Sequence, residues 1–96
     1  MMNISSLQSD LRPIFASYGI NKAILFGSFS KGTNTENSDI DIMVDSNLKG
    51  LKFLGLLEEI KAVTGREVDL IDLSHIEKNS FVENEIMRTG RVIYEK

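Results

Sequence analysis

Two aspartates and a glycine–serine pair are the residues of this 96-residue chain whose types and spacing best suit chemistry. Asp39 and Asp41 flank Ile40, so on a strand both carboxylates point to the same face and can share a divalent metal. Gly27 and Ser28 end an earlier apolar run, where backbone N–H groups and a hydroxyl can face phosphate. Phosphate donors beside paired carboxylates indicate metal-assisted chemistry on a nucleotide.

A third aspartate strengthens this interpretation. Asp69 lies between Val68 and Leu70 in a later apolar segment, so on a strand it opposes these core residues and can face the side of Asp39 and Asp41. Three carboxylates within about 4 Å of one another repel by several kcal/mol even at an effective dielectric constant of about 20. A fold that gathers them needs a cation, and two Mg²⁺ ions, or Mn²⁺, would meet that need.

Each feature also has a plain structural interpretation. A Gly-Ser pair alone can be an ordinary turn at a strand end, and two aspartates alone can be exposed strand residues. A Walker A loop is excluded, because Thr33 follows Gly32 where the phosphate-binding lysine should stand. The combination of both pairs with ten residues between them favours a functional site.

Hydrophobic periodicity predicts the elements that must position these residues. It predicts helices over residues 5–18 and 51–63 and a third helix that begins at a cap at Asn79 or Ser80 and stops at Gly90. Strands are predicted over residues 23–26, 39–44, 68–71 and 91–94, and a polar loop over residues 33–38. After the glycine turn, residues 28–31 can begin a short helix whose N–H groups face an anion. Pro13 leaves a second start for the first helix, with Ser9 or Asp10 as the cap and the proline in the first turn.

Several side chains are assigned to the core or to turns from their spacing. Asp45 and Asp72 fall near strand ends and are predicted to be turn residues. The residues predicted to be buried in the second and third helices are Phe53, Leu54, Leu57, Ile60, Val63, Val82, Ile86 and Met87.

The element order predicts an α+β fold, in which amphipathic helices pack mainly on one face of a mixed β-sheet. Apolar residues make up 42% of the chain and charged residues 26%, as in ordinary globular proteins. A chain of this length is long enough for one hydrophobic core and too short for two. We therefore expect residues 1–96 to form a single domain.

Composition excludes several classes of function. The net charge is −3 and the eleven lysines and arginines are scattered, which argues against binding of extended nucleic acid. The absence of cysteine and the single histidine leave oxygen ligands for any metal. No apolar run reaches the roughly 20 residues of a membrane span, and the N-terminal residues lack the pattern of a secretion signal, so we expect a cytoplasmic protein.

The motif Gly27-Ser28, ten residues and Asp39-Ile40-Asp41 resembles the signature of the DNA polymerase β-type nucleotidyltransferase superfamily. Chain length and the later Val68-Asp69-Leu70 resemble its minimal nucleotidyltransferases, which are often antitoxin partners of HEPN-domain toxins. The resemblance implies that Gly27 and Ser28 hold the triphosphate. It further implies that Asp39 and Asp41 ligate two Mg²⁺ ions and that Asp69 is the third carboxylate, near the attacking hydroxyl.

Lys31 lies in the segment where members of this superfamily often carry a basic or aromatic residue. It can pair with the β or γ phosphate, or it can be a solvated loop lysine. We expect a Mg²⁺-dependent nucleotidyltransferase that moves AMP from ATP, or a nucleotide from another NTP, to a hydroxyl of a HEPN-type partner protein.

Two alternative functions stay open. The chain can be a non-catalytic antitoxin that neutralises its partner by forming a complex, with the metal site unused. A small-molecule nucleotidyltransferase is disfavoured, because the chain contains no added acceptor domain. A homo-oligomer is compatible with either function.

Overall fold

A computed structural model of the chain describes residues 3–35 and 37–96. In chain order their elements are α1 (Ile4–Ser17), β1 (Lys22–Phe26), α2 (Ser28–Lys31), β2 (Ile40–Asp45), α3 (Leu51–Thr64), β3 (Val68–Asp72), a 3₁₀ helix (Leu73–His75), α4 (Phe81–Thr89) and β4 (Arg91–Glu95). The periodicity therefore predicted every helix and strand apart from the 3₁₀ helix. Glu36, in the predicted loop 33–38, lies outside the described residues.

The strands form one mixed sheet in the order β3-β2-β1-β4. β1 runs antiparallel to β2 and to β4, whereas β2 and β3 are parallel, with α3 making the crossover between them. The predicted α+β fold with a mixed sheet is confirmed. Across the described ranges, none of the helices combines the length and the apolarity that crossing a membrane requires.

One face of the sheet carries the main hydrophobic core. Leu11 and Phe15 of α1 and Leu56 and Ile60 of α3 pack there against alternating strand residues such as Leu25. α4 instead contacts β1 from the other face, where Gly90 lies so close to Ile24 that a Cβ would come 3.0 Å from its Cγ2 atom. Helices thus pack mainly on one face, as predicted.

The N-terminus of α1 is fixed by a reciprocal cap. Asn3 Oδ1 accepts the backbone N–H of Ser6 at 2.8 Å, and the backbone N–H of Asn3 donates to Ser6 Oγ at 3.3 Å. The start at Ser9 or Asp10 is therefore not adopted, and Pro13 lies inside the helix. The proline removes one hydrogen bond, to the exposed Ser9, and burial of the apolar face holds the helix together.

Three side chains predicted to be buried are exposed. Leu54 is 49% exposed, Val63 48% and Met87 79%. α3 is apolar on more than one side, and Leu56 rather than Leu54 faces the sheet, together with Ile60. Spacing alone did not identify which of the two leucine positions meets the core.

Asp72 was predicted to be a turn residue and is instead a buried anchor. It ends β3 and accepts four hydrogen bonds, from the backbone N–H and the hydroxyl groups of Ser46 and Ser74, at 2.5–3.2 Å. Burial raises the pKa of Asp72, but these hydrogen bonds outweigh that effect and hold the pKa below its ordinary value. The carboxylate ties the end of β2 to the turn after β3.

Candidate active site

Asp41 and Asp69 are neighbours across the parallel pair of β2 and β3. The register aligns Asp41 with Asp69 on one side and with Phe26 of β1 on the other. Asp41 is partly buried and Asp69 is exposed. Asp69 raises the pKa of Asp41 through its negative charge and as a hydrogen-bonding neighbour of the protonated carboxyl group. The sheet therefore brings together two of the three predicted carboxylates.

The pKa of Asp41 is raised from its ordinary 3.8 to about 6, first of all because burial deprives the charged carboxylate of solvation. Hydrogen bonding with Asp69 and the negative charges of Asp69, Asp39 and Glu85 contribute to the same rise. A carboxyl group perturbed by burial and by specific charged neighbours in a cleft is a frequent mark of a functional site.

Asp39 lies one residue before β2 and is exposed. It acts on Asp41 through its charge. Over residues 3–35 and 37–96, no three Asp, Glu, His or Cys side chains form a group arranged to hold a metal ion. The set of three carboxylates as metal ligands stays a prediction, and Asp39 lies one residue before the ladder that aligns Asp41 with Asp69.

Gly27 follows β1 directly and lies against Asp41. Its φ of 74° and ψ of −150° fall in a region that essentially only glycine adopts. A Cβ at this position would overlap Asp41 Oδ2 and lie 3.3 Å from Asp41 Cγ. Glycine is therefore required both for the turn into α2 and for the space that the Asp41 carboxyl group occupies.

The predicted phosphate donors are not equally available. The backbone N–H of Gly27 donates to Thr89 Oγ1 at 3.0 Å and is therefore engaged within the chain. Ser28 begins α2, whose first-turn N–H groups have no acceptor within the helix. Lys31 ends α2 and is exposed.

Sequence reasoning missed two residues of α4. Glu85 adds to the negative charge that acts on Asp41, and it forms an ion pair with Arg88. Thr89 binds the Gly27 N–H through its side chain. The cap at Ser80 marks where α4 begins, but nothing in the periodicity indicates which of its polar residues meet the end of β1.

A cavity of about 480 Å³ opens beside the carboxyl pair. Its polar wall contains Gly27, Asp41, Asp69 and Glu85, and Phe81 contributes to its apolar wall. The volume lies within the range of sites for small molecules, roughly 300–1,000 Å³. The arrangement can hold a phosphorylated ligand or an acceptor group against the two aspartates.

The chemistry of these residues fits a hard divalent cation. Carboxylate oxygens are the ligands preferred by Mg²⁺ and Mn²⁺. Asp41 and Asp69 concentrate negative charge that a bound cation would compensate. These two carboxyl groups are thus suited to bind such an ion, and Asp39 lies next to them in sequence, one residue before β2.

Comparison with known proteins defines the class. The chain belongs to the polymerase beta nucleotidyltransferase family, whose model matches residues 9–96. A Methanocaldococcus jannaschii protein with the provisional name protein adenylyltransferase is 35% identical over 78 residues, which cover 78% of this chain and 83% of that protein. Protein adenylyltransferase MntA of Thermococcus cleftensis is 39% identical over 56 residues, which cover 56% of this chain and 57% of that protein. The chain is a nucleotidyltransferase.

Solved structures share the fold. A toxin–antitoxin complex with AMP-PNP contains a chain that matches with a TM-score of 0.79 at 24% identity, over 93% of this chain and 73% of that one. A protein provisionally described as a minimal nucleotidyltransferase matches with a TM-score of 0.75 at 20% identity, over 94% and 95% of the two chains. At these identities the similarity establishes the fold alone.

Proposed function

We propose that this nucleotidyltransferase transfers AMP from ATP to a hydroxyl group of a HEPN-type toxin and so acts as its antitoxin. The observation that carries the proposal is the Asp41–Asp69 carboxyl pair beside the Gly27 turn. Relatives named protein adenylyltransferase support the reaction. Complexes described as a toxin–antitoxin with AMP-PNP and as a tri-AMPylated HEPN toxin with its MNT antitoxin support the nucleotide and the partner.

In this proposal the carboxylates of Asp39, Asp41 and Asp69 hold two Mg²⁺ ions, with Mn²⁺ as a substitute. The ions supply charge compensation for the triphosphate and lower the pKa of the acceptor hydroxyl. Asp69 is the exposed member of the pair, so it is the carboxylate placed to orient the incoming hydroxyl or to accept its proton. The hydroxyl oxygen bonds to the α-phosphorus of ATP and pyrophosphate leaves.

Ser28 and Lys31 are the proposed phosphate ligands. Ser28 offers its hydroxyl and its first-turn N–H at the start of α2, and Lys31 offers a charge from the exposed end of the same helix. The role proposed for Gly27 is to leave space: without a side chain, it lets the Asp41 carboxyl group and a phosphate come close to its backbone.

The test is incubation of the purified chain with a HEPN-type partner, ATP labelled at the α-phosphate, and Mg²⁺ or Mn²⁺. We expect label on the partner and a mass increase of one AMP for each hydroxyl modified. Asp41→Asn and Asp69→Asn should abolish the transfer. Asp45→Asn is the matched control, because Asp45 lies on the same strand about 13 Å from Asp41. Transfer that persists in both site variants, or that survives chelation of the metal, contradicts the proposal.

The same carboxylates separate catalysis from a second function, neutralisation of the toxin by complex formation alone. If this function is correct, the Asp41→Asn, Asp69→Asn double variant neutralises the toxin as well as the native chain does at equal concentration. Loss of neutralisation with retained binding of the toxin assigns the effect to catalysis.

A further inference from the structure

Thr89 joins the end of α4 to the turn after β1. Its Oγ1 accepts the backbone N–H of Gly27 at 3.0 Å and donates to the carbonyl oxygen of Glu85 at 2.7 Å. The hydroxyl of the buried Ser30 in α2 donates to the carbonyl oxygen of Thr89. Two hydrogen bonds therefore cross between segments about 60 residues apart, and both end in Gly27 or α2.

Thr64 shows what the same side chain does when its contacts are local. It ends α3 as Thr89 ends α4, and its hydroxyl donates to the carbonyl of Ile60 at 2.8 Å, four residues back. It accepts the backbone N–H of Arg66 at 3.4 Å, only two residues further on. Both threonines thus end a helix with the same hydrogen bond to the carbonyl four residues back. Of the two, Thr89 is the one whose hydroxyl oxygen accepts a hydrogen bond from the candidate active site, from the Gly27 N–H.

We propose that Thr89 is a positioning residue for the nucleotide. Its hydroxyl holds the peptide group of Gly27, and this fixes the turn that lies against the Asp41 carboxyl group in the cavity. This inference rests on the proposed function for the chemical class of the ligand, a nucleoside triphosphate.

The physical reason lies in the freedom of Gly27. Glycine loses more conformational freedom on ordering than other residues, and a turn that is not held must be ordered when the ligand binds. The hydrogen bond to Thr89 orders this turn in advance and keeps Gly27 against the Asp41 carboxyl group. Thr89 therefore lowers the cost of nucleotide binding without touching the nucleotide.

The test compares Thr89→Val, which keeps the shape and removes the hydroxyl, with Thr89→Ser, which restores the hydroxyl. Thr64→Val is the matched control. We expect Thr89→Val to weaken binding of AMP-PNP with Mg²⁺, measured by calorimetry, by about tenfold, the most that one lost hydrogen bond commonly represents. In the transfer assay KM for ATP should rise by a similar factor with little change in kcat. Thr89→Ser should return both values to within about twofold of the native chain.

A second readout does not depend on nucleotide or turnover. The Gly27 amide should be protected from hydrogen exchange in the native chain, in Thr89→Ser and in Thr64→Val, and should lose protection in Thr89→Val. If the native chain transfers no AMP, the proposed function fails, while exchange at Gly27 and calorimetry still decide the role of Thr89.

The outcomes that overturn the inference are specific. Native nucleotide affinity in folded Thr89→Val refutes it, and so does equal weakening in Thr64→Val, which would indicate a general loss of stability. If Thr89→Val does not fold, Thr89→Ala removes the same hydroxyl with a smaller side chain. Nucleotide binding weakened by about tenfold together with loss of Gly27 amide protection in Thr89→Ala supports the inference, and unchanged binding overturns it.

Discussion

Replacement of Asp41 by asparagine should stabilise the metal-free protein while it destroys the candidate site. The pKa of Asp41 is raised from 3.8 to about 6 in the folded state, so the folded chain binds the proton more tightly than the unfolded chain does. Stability contributed by this group is complete below pH 3.8 and is lost as the pH rises to about 6. An asparagine side chain at this position carries no charge and escapes this loss.

The size of the effect follows from the two pKa values. A displacement from 3.8 to about 6 corresponds to about 3 kcal/mol, at about 1.4 kcal/mol per pH unit. Partial exposure of Asp41 lets water screen the charge, so we expect about 1–2 kcal/mol. For a domain of this size that free energy raises Tm by about 5–10 °C at pH 7.5.

Thermal unfolding of both proteins without metal at pH 7.5 and at pH 4 provides the assay. Asp41→Asn should have a higher Tm than the native chain at pH 7.5. At pH 4 the two Tm values should be nearly equal, because Asp41 of the folded native chain is then protonated. Added Mg²⁺ should stabilise only the native chain and narrow the difference. Asp45→Asn should shift neither curve. A difference of the same size at both pH values refutes the assigned cause, as does a variant that is less stable at both.

Further substitutions test the turn, the buried Asp72 anchor and the core. Gly27→Ala should destabilise the fold by about 1–3 kcal/mol more than Gly32→Ala, since both have positive φ but only Gly27 has a carboxyl group in the way of a Cβ; urea unfolding measures this. Asp72→Ala should reduce the free energy of unfolding by about 2–4 kcal/mol at pH 7, and the deficit should shrink below about pH 3.8 as the native carboxylate takes up a proton. Leu56→Ala should cost about 2–5 kcal/mol and Leu54→Ala less than about 1 kcal/mol, and equal costs would contradict the observed helix face.

The sequence predicted what depends on local pattern. Alternation around Asp41 and Asp69 placed each on a strand facing away from its apolar neighbours, and the parallel register of β2 and β3 then makes them direct neighbours. The turn at Gly27 could also be predicted from local sequence. Glycine at the end of an apolar strand is typical of a sharp turn, and the conformation at Gly27 is one that essentially only glycine adopts.

What the sequence did not reveal depends on how distant segments meet. Asp72 is an anchor because the donors of Ser46 arrive from another strand. Thr89 and Glu85 acquire their contacts because α4 lies against the end of β1. Neither the hydrophobic periodicity nor the residue types of one sequence indicate which distant segments come into contact.

Strand geometry also explains why the aspartates with the obvious spacing are not the ones that pair. Two residues apart along a strand, Asp39 and Asp41 are separated by about 6.6 Å at the backbone, whereas neighbours across a sheet are about 4.8 Å apart. The i, i+2 motif therefore signals a shared face, and the tight carboxyl pair comes from Asp69 on the next strand.

Asp39 belongs to the short segment that leads into β2. Arg66 holds that segment, since its Nη1 donates to the carbonyl oxygens of Thr35 and Ser38 at 3.2 and 3.4 Å. The same guanidinium lies over the Phe29 ring of α2 at 5.0 Å. Arg66 thus ties the segment that carries Asp39 to the helix that follows the Gly27 turn, so a ligand that ordered one of them would act on the other.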